Sequence, residues 1–350
     1  MSARRSAGAP NPYLFLAMTM MLWGGAFSSS EAVVDHVPHT VAATLRFGGG
    51  AIALLVAMAL TGRTPRVGVR AAGRACLAGV LGVFAYNGFF FWGLSLAPSL
   101  DGGILIPVMS PVLTTAFLLV SGREKASRRR LVGLALGLAG AAAYLVGANS
   151  AGGGSHRLAG DLLYVLSAVC WAAFTLAAPK VLAGIEPLTA MAYATCTGAV
   201  LLAVIAAPDW GKVQWGAVPS GVWVNVAYLA IGATAVANVF YYRGVAAVGP
   251  ASASLMMFLV PAVNTACATF FLGESFTTVQ AAGAVVLLAG AALAGRGRIR
   301  LSGADSRWLR RRNSHTNTAT TSTTPPSTYP LPYRIWKGSQ ASSRPWRRGA

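Results

Sequence analysis

The chain has 350 residues, 55% of them hydrophobic and only 11% charged, with 28 Lys and Arg against nine acids and a net charge of +19. Globular surfaces carry roughly 25% charged residues, so a soluble domain is excluded, whereas a bilayer crossing takes roughly 20 predominantly apolar residues and this composition supplies many. The positive charge does not describe a nucleic-acid-binding face: 12 of the bases follow residue 295 in a polar tail, and most others occupy short connections between apolar runs, where membrane proteins place their orientation signals.

In chain order, Arg4 and Arg5 precede a first apolar run at about 13–33. The pattern also fits a secretory signal peptide, but the run exceeds a usual signal core. Further runs fall at about 39–61, 75–96, 102–121, 131–148, 161–180, 187–207, 221–243, 251–272 and 279–296. Each can cross a hydrocarbon core of roughly 30 Å as a helix, the form that satisfies its own backbone polar groups without water. The prediction is an all-α integral membrane protein with ten transmembrane helices. Cys76, Cys170, Cys196 and Cys267 fall inside the runs and read as small hydrophobes, with no disulfide or metal framework. The segment NSAGGGSHRLA at 149–159 reads as a flexible linker. Residues 297–350, rich in Ser, Thr, Pro and Arg, predict a disordered basic cytoplasmic tail.

Counted over alternate connections without the tail, Lys and Arg number 13 on one side and two, Arg157 and Lys212, on the other. The positive-inside bias therefore puts both termini in the cytoplasm, as ten crossings require. The chain also repeats itself at an offset of 150: Pro111 meets Pro261, Glu124 meets Glu274, Ser127 meets Thr277, Gly133 meets Gly283 and Gly140 meets Gly290. With small slips, Trp23 corresponds to Trp171 and Pro38 to Pro187. An odd five helices per half makes the second copy enter from the opposite face, an inverted 5+5 repeat. The expected division is a first repeat over 1–148, the linker 149–159, a second repeat over 160–296 and the tail.

The segment LVPAVNTACATFFLGESFTTVQAAGAVVLLAG at 259–290 closely resembles the end of an EamA repeat of the drug/metabolite transporter superfamily. PVMSPVLTTAFLLVSGREKASRRRLVGLALGLAG at 107–140 is similar to a weaker first copy, with Gly122-Arg123-Glu124 in place of the usual Leu-Gly-Glu. Trp23-Gly24, Leu45-Arg46-Phe47 and Trp171-Ala172 are also similar to the family pattern. The resemblance spans about 13–296. It implies a secondary transporter of the plasma (inner) membrane, an exporter or permease that moves small metabolites such as amino acids or amphiphilic drugs by alternating access. Its partners would be a small-molecule substrate, the lipid bilayer and, if transport is coupled, a proton. A membrane-embedded scaffold or enzyme that reuses the bundle without transport is the alternative. Neither HExxH nor GxxxxGK occurs, so no enzyme activity, metal or cofactor is expected.

Seven residues are candidates for lining the substrate pathway. Arg46 is a cation inside a span, expensive unless partnered; Glu31 or Asp35 is the expected partner, and the site is either a carboxylate-binding point or a structural pin. Trp23, Trp92 and Trp171 lie deeper than interfacial belts require, and Tyr242 joins them as an amphipathic ring suited to a cavity or to helix packing. Asn87 and Asn238 are amides in hydrocarbon that need a wet pathway or an interhelical partner. Pro107, Pro111 and Pro261 remove ladder bonds, with Pro111 and Pro261 as candidate hinges. Glu124 and Glu274 are read as structural caps of the helices that follow them, 274 preceding a Thr277–Gln280 capping box. Gly133 and Gly137 present a small-xxx-small packing face.

Overall fold

A computed structural model describes residues 11–62, 66–122, 127–148, 154–248, 256–275 and 277–295. The tail expectation, Glu124 and the first part of the linker lie outside these residues. The described residues form ten long helical segments, two short helical turns at Ala207–Lys212 and Trp215–Ala217, and no strands: α1 (Pro12–Val34), α2 (His39–Leu60), α3 (Val69–Leu94), α4 (Ser99–Val120), α5 (Arg128–Ala148), α6 (Gly154–Val181), α7 (Pro187–Ala206), α8 (Ser220–Ala227 continued by Tyr228–Val236 and Ala237–Val248), α9 (Leu259–Leu272) and α10 (Thr278–Gly295).

Seven of these, α2 to α8, contain a stretch long and apolar enough to cross a membrane, while α9 and α10 are shorter apolar helices. The 23-residue α1 carries Ser28, Ser29, Ser30 and Glu31 near its end, which lowers its hydropathy. Large apolar side chains such as Ile52, Val204, Phe270 and Phe271 point outward, a surface suited to lipid. Between α7 and α8, Trp210, Trp215 and Trp223 stack with ring centroids 5.2 and 6.0 Å apart, as aromatic residues do at headgroup depth.

Helix starts follow capping chemistry. The Asn11 side chain accepts from Tyr13 N–H ahead of α1, and Glu186 accepts from Thr189 N–H at 2.8 Å ahead of α7. The capping box of α10 forms in both directions, Gln280 N–H donating to Thr277 Oγ1 at 3.2 Å and Thr277 N–H to Gln280 Oε1 at 3.0 Å. Glu274 departs from its expected role: it caps α4, accepting from Leu100 N–H at 2.9 Å and Ser99 Oγ at 3.1 Å. α6 starts at Gly154, well before the apolar run at 161, because Arg157 is fixed by a bidentate pairing with Asp101 at 2.8 and 3.0 Å. The linker expected over 149–159 is thus helical from Gly154 onward.

The packing has an internal correspondence. α1 packs against α8 and α9, as α6 packs against α3 and α4, while α2 meets α7 and α5 meets α10. The α5–α10 contact is the most extensive, and glycine permits it. A Cβ on Gly290 would stand 2.8 Å from the Gly133 carbonyl oxygen, and one on Gly140 would stand 2.9 Å from that of Gly283. The expected small face on α5 is therefore used, and its partner face lies on α10. π-helical turns interrupt α3 at Val80–Ala85 and α8 at Tyr228–Val236. Pro107 and Pro111 sit inside the unbroken α4. Before Pro261, α9 begins after a turn at Met257–Phe258: proline has no N–H for the Met257 carbonyl, and Val260 N–H donates there instead at 3.0 Å.

Candidate functional site

Eight helices surround a cavity of about 910 Å³ including its open mouth, and α5 and α10 contribute none of its lining. α1, α3 and α8 turn helical stripes inward. α1 supplies Trp23, Ala26 and Phe27; α3 supplies Val83, Tyr86, Asn87 and Phe90; and α8 supplies Ala233, Thr234 and Asn238. α2 adds Arg46, α4 Pro107, α6 Trp171, α7 Thr195 and α9 Val260.

Five of the seven predicted pathway residues, Trp23, Arg46, Asn87, Trp171 and Asn238, thus come together around one cavity. Trp92 does not. Two residues beyond Phe90, it projects from the opposite face of α3, is 49% exposed and lines a surface pocket with Phe89, His39 and Ile205. Depth in a span does not fix which way a ring points. The side chain of Tyr242 lies outside the described residues; its neighbour Tyr241 packs on Trp23 at 5.1 Å between centroids. Of the expected hinges, neither Pro111 nor Pro261 lines the cavity, whereas Pro107 does.

The walls are paired. Trp23 of α1 meets Tyr241 of α8, and Trp171 of α6 meets Tyr86 of α3, both at 5.1 Å. Asn87 and Asn238 each follow a π-helical stretch and each donate to the carbonyl four residues back, Val83 and Thr234. Such stretches widen a helix locally and recur at functional sites.

Arg46 has no carboxylate partner among the described residues. Its Nη1 donates to Ser30 Oγ at 3.3 Å, its guanidinium carbon lies 5.0 Å from the Phe47 ring centroid, and its buried Nε has no acceptor. The expected acids are elsewhere: Asp35 is exposed at the end of α1, and Glu31 accepts from Ser99 N–H at 2.9 Å. Asn87 Oδ1 is likewise buried without a donor. The cavity is therefore lined by a cation and two amides between aromatic walls, which suits a ligand with a carboxylate, a donor group and an apolar body.

A second polar cluster, which the sequence did not reveal as a unit, gathers at the start of α4. Besides both glutamates and Arg157, Asp101 accepts from Tyr144 Oη at 2.6 Å and from Gln280 Nε2 at 3.2 Å. Asn264 of α9 donates to the Ser99 and Leu100 carbonyls at 3.3 and 3.4 Å. Side chains from α1, α5, α6, α9, α10 and the connection after α9 thus converge on one helical turn. Asp101, Glu31 and Glu274 were each visible as acids near a membrane face, but no local pattern pairs residues so distant in sequence.

An all-helical membrane bundle around an aromatic and polar cavity is the architecture of a small-molecule transporter. The EamA-like transporter family is matched twice along the chain, over residues 11–146 and 158–296, and the chain belongs to that family. Among its relatives, the uncharacterized transporter YyaM of Bacillus subtilis (strain 168) is 24% identical over 80% of this chain and 92% of its own. A probable terminal-alkyne amino-acid exporter of Streptantibioticus cattleyicolor is 27% identical over the same shares, 80% and 92%. A solved crystal structure shares the fold with a TM-score of 0.57 and 22% identity, covering 83% of this chain and 99% of that one. The chain is a multi-pass membrane transporter, and its homologues are transporters rather than enzymes.

Proposed function

We propose that this is a plasma-membrane secondary transporter with ten crossings in two oppositely inserted five-helix halves, both termini cytoplasmic, exporting small amphipathic zwitterions such as amino acids by alternating access. The twofold family match supports the division into halves, as does the exchange of partners that relates α1 and α6. Oppositely inserted halves related by such an exchange can rock about a shared site, and Pro261, just after the turn at Met257–Phe258, is a candidate hinge.

The observation that carries the substrate reading is the cavity lining itself, in which Arg46, without a carboxylate partner among the described residues, and the amides Asn87 and Asn238 share the walls with Trp23 and Trp171. A zwitterion suits this lining, its carboxylate on the guanidinium and its ammonium on an amide oxygen, while the tryptophans receive an apolar side chain. That a relative is named an amino-acid exporter agrees with this choice. Counterflow of labelled amino acids in proteoliposomes tests it. Exchange of aromatic or branched amino acids above empty vesicles is expected, falling sharply in Arg46→Gln; no exchange across the panel, or full exchange in the variant, refutes it. Cysteine labelling from either side of the membrane at 149–153 and in the tail tests the orientation, with the first expected outside and the second inside.

A further inference from the structure

Four carboxyl groups meet at the start of α4 against a single guanidinium. Glu31 and Glu274 hold its first amides, and Asp101 takes bonds from Tyr144, Gln280 and Arg157. Asp161, one turn after Arg157 on α6, differs from all three. Its side chain is wholly buried, and neither oxygen has a hydrogen-bond partner among the described residues.

The groups that face it are Asp101 of α4, Tyr144 of α5, and Arg157 and Tyr164 of α6, with Glu31 and Glu274 around Tyr164. None of them donates a hydrogen bond to Asp161. Arg157 is bidentate to Asp101, the Tyr144 hydroxyl donates to Asp101, and the Tyr164 hydroxyl donates to the Ala97 and Pro98 carbonyls at 3.0 and 3.2 Å. A buried carboxylate with no donor, beside a second carboxylate that already claims the only nearby cation, is unfavourable on both counts. A neutral carboxyl is not, because its O–H can donate to the carboxylate alongside.

We propose that Asp161 and Asp101 form a proton-binding pair in which Asp161 carries one exchangeable proton and donates it to Asp101, and that this proton leaves when the α4 end of the bundle opens to water. Because that turn ties together six other elements, opening it hydrates the pair. The binding site stands on this geometry, whereas its use as a coupled step rests on the transport reading above.

Infrared spectra of the purified full-length protein, titrated from about pH 5 to about pH 9, above the usual carboxyl range, read protonated carboxyls without substrate or flux. A carboxyl C=O band that persists at about pH 7, well above that range, is expected; it should be lost in Asp161→Asn and kept in Glu31→Gln. Asp161→Glu, which displaces the band without deleting it, makes the same assignment if the amide variant does not fold. No such band in the wild type, or one that survives Asp161→Asn unchanged, overturns the proposal while leaving the transport reading intact. In proteoliposomes that exchange substrate, Asp161→Asn is expected to flatten the pH dependence of net efflux, and an unaltered pH profile refutes the coupled step.

Discussion

Replacing Arg46 with Met separates a binding cation from a structural pin, because the two roles predict opposite signs for stability. A guanidinium at mid-bilayer costs roughly 2.5–3.5 kcal/mol on insertion scales, less toward an edge. Arg46 recovers part of this through one hydrogen bond, to Ser30 Oγ at 3.3 Å, and its contact with the Phe47 ring, which return about 1 kcal/mol and about 0.5–1 kcal/mol. Its Nε recovers nothing. The residue is therefore held at a net cost, and Arg46→Met is expected to stabilise the purified protein by about 1–2 kcal/mol. Substrate affinity should move the other way: a charge-assisted bond to a carboxylate contributes about 1.5–3 kcal/mol, so binding should weaken about 10- to 100-fold. Denaturation midpoints in detergent give the first quantity and counterflow saturation the second. A variant destabilised by about 1 kcal/mol or more with unchanged affinity would refute the reasoning and leave Arg46 a pin.

The glycine contacts yield a contrast within one residue type. Gly290→Val should lose about 1–3 kcal/mol, since the new Cβ meets the Gly133 carbonyl oxygen at 2.8 Å and α5 and α10 must part. Gly48→Ala in α2, whose Cβ would meet nothing within 4 Å, should gain up to about 1 kcal/mol by helix propensity; equal effects in thermal unfolding would contradict the packing argument. Tyr144→Phe deletes a fully buried hydroxyl that bonds Asp101 at 2.6 Å and should cost about 1–3 kcal/mol, read from the same unfolding curves. Thr277→Ala removes the forward half of the α10 capping box and should cost about 1 kcal/mol, with protease accessibility at the connection before α10 rising in step.

What the sequence made legible was governed by local hydropathy. Apolar runs located the long helices of the described residues, seven of them long and apolar enough to cross a membrane, and the capping box of α10 was visible because it needs only Thr277 and Gln280 three apart. The glycine face of α5 was visible for the same reason. Helix rotation was not, because spans apolar on every side give no stripe to orient them, so Trp92 fell on the lipid face of α3 while Trp23 and Trp171 turned inward. Partners across long separations were hidden too. Arg46 found Ser30 rather than Glu31, because Glu31 was already claimed by the amides of α4. Glu274 went to that same helix, more than 170 positions earlier in the chain, rather than to the one after it. The π-helical stretches that precede Asn87 and Asn238 left no compositional mark.

The glycine seam has a consequence for biogenesis. Its two sides are the fifth and the last helices, so the ribosome finishes one long before it makes the other. Until synthesis ends, the early segment waits in the bilayer with its backbone groove unfilled, a vulnerable interval of the kind that invites mispairing and quality control. A nonsense mutation between Ala148 and Thr278 would make that interval permanent, so even the loss of one late segment should eliminate the whole polypeptide rather than leave a shortened carrier.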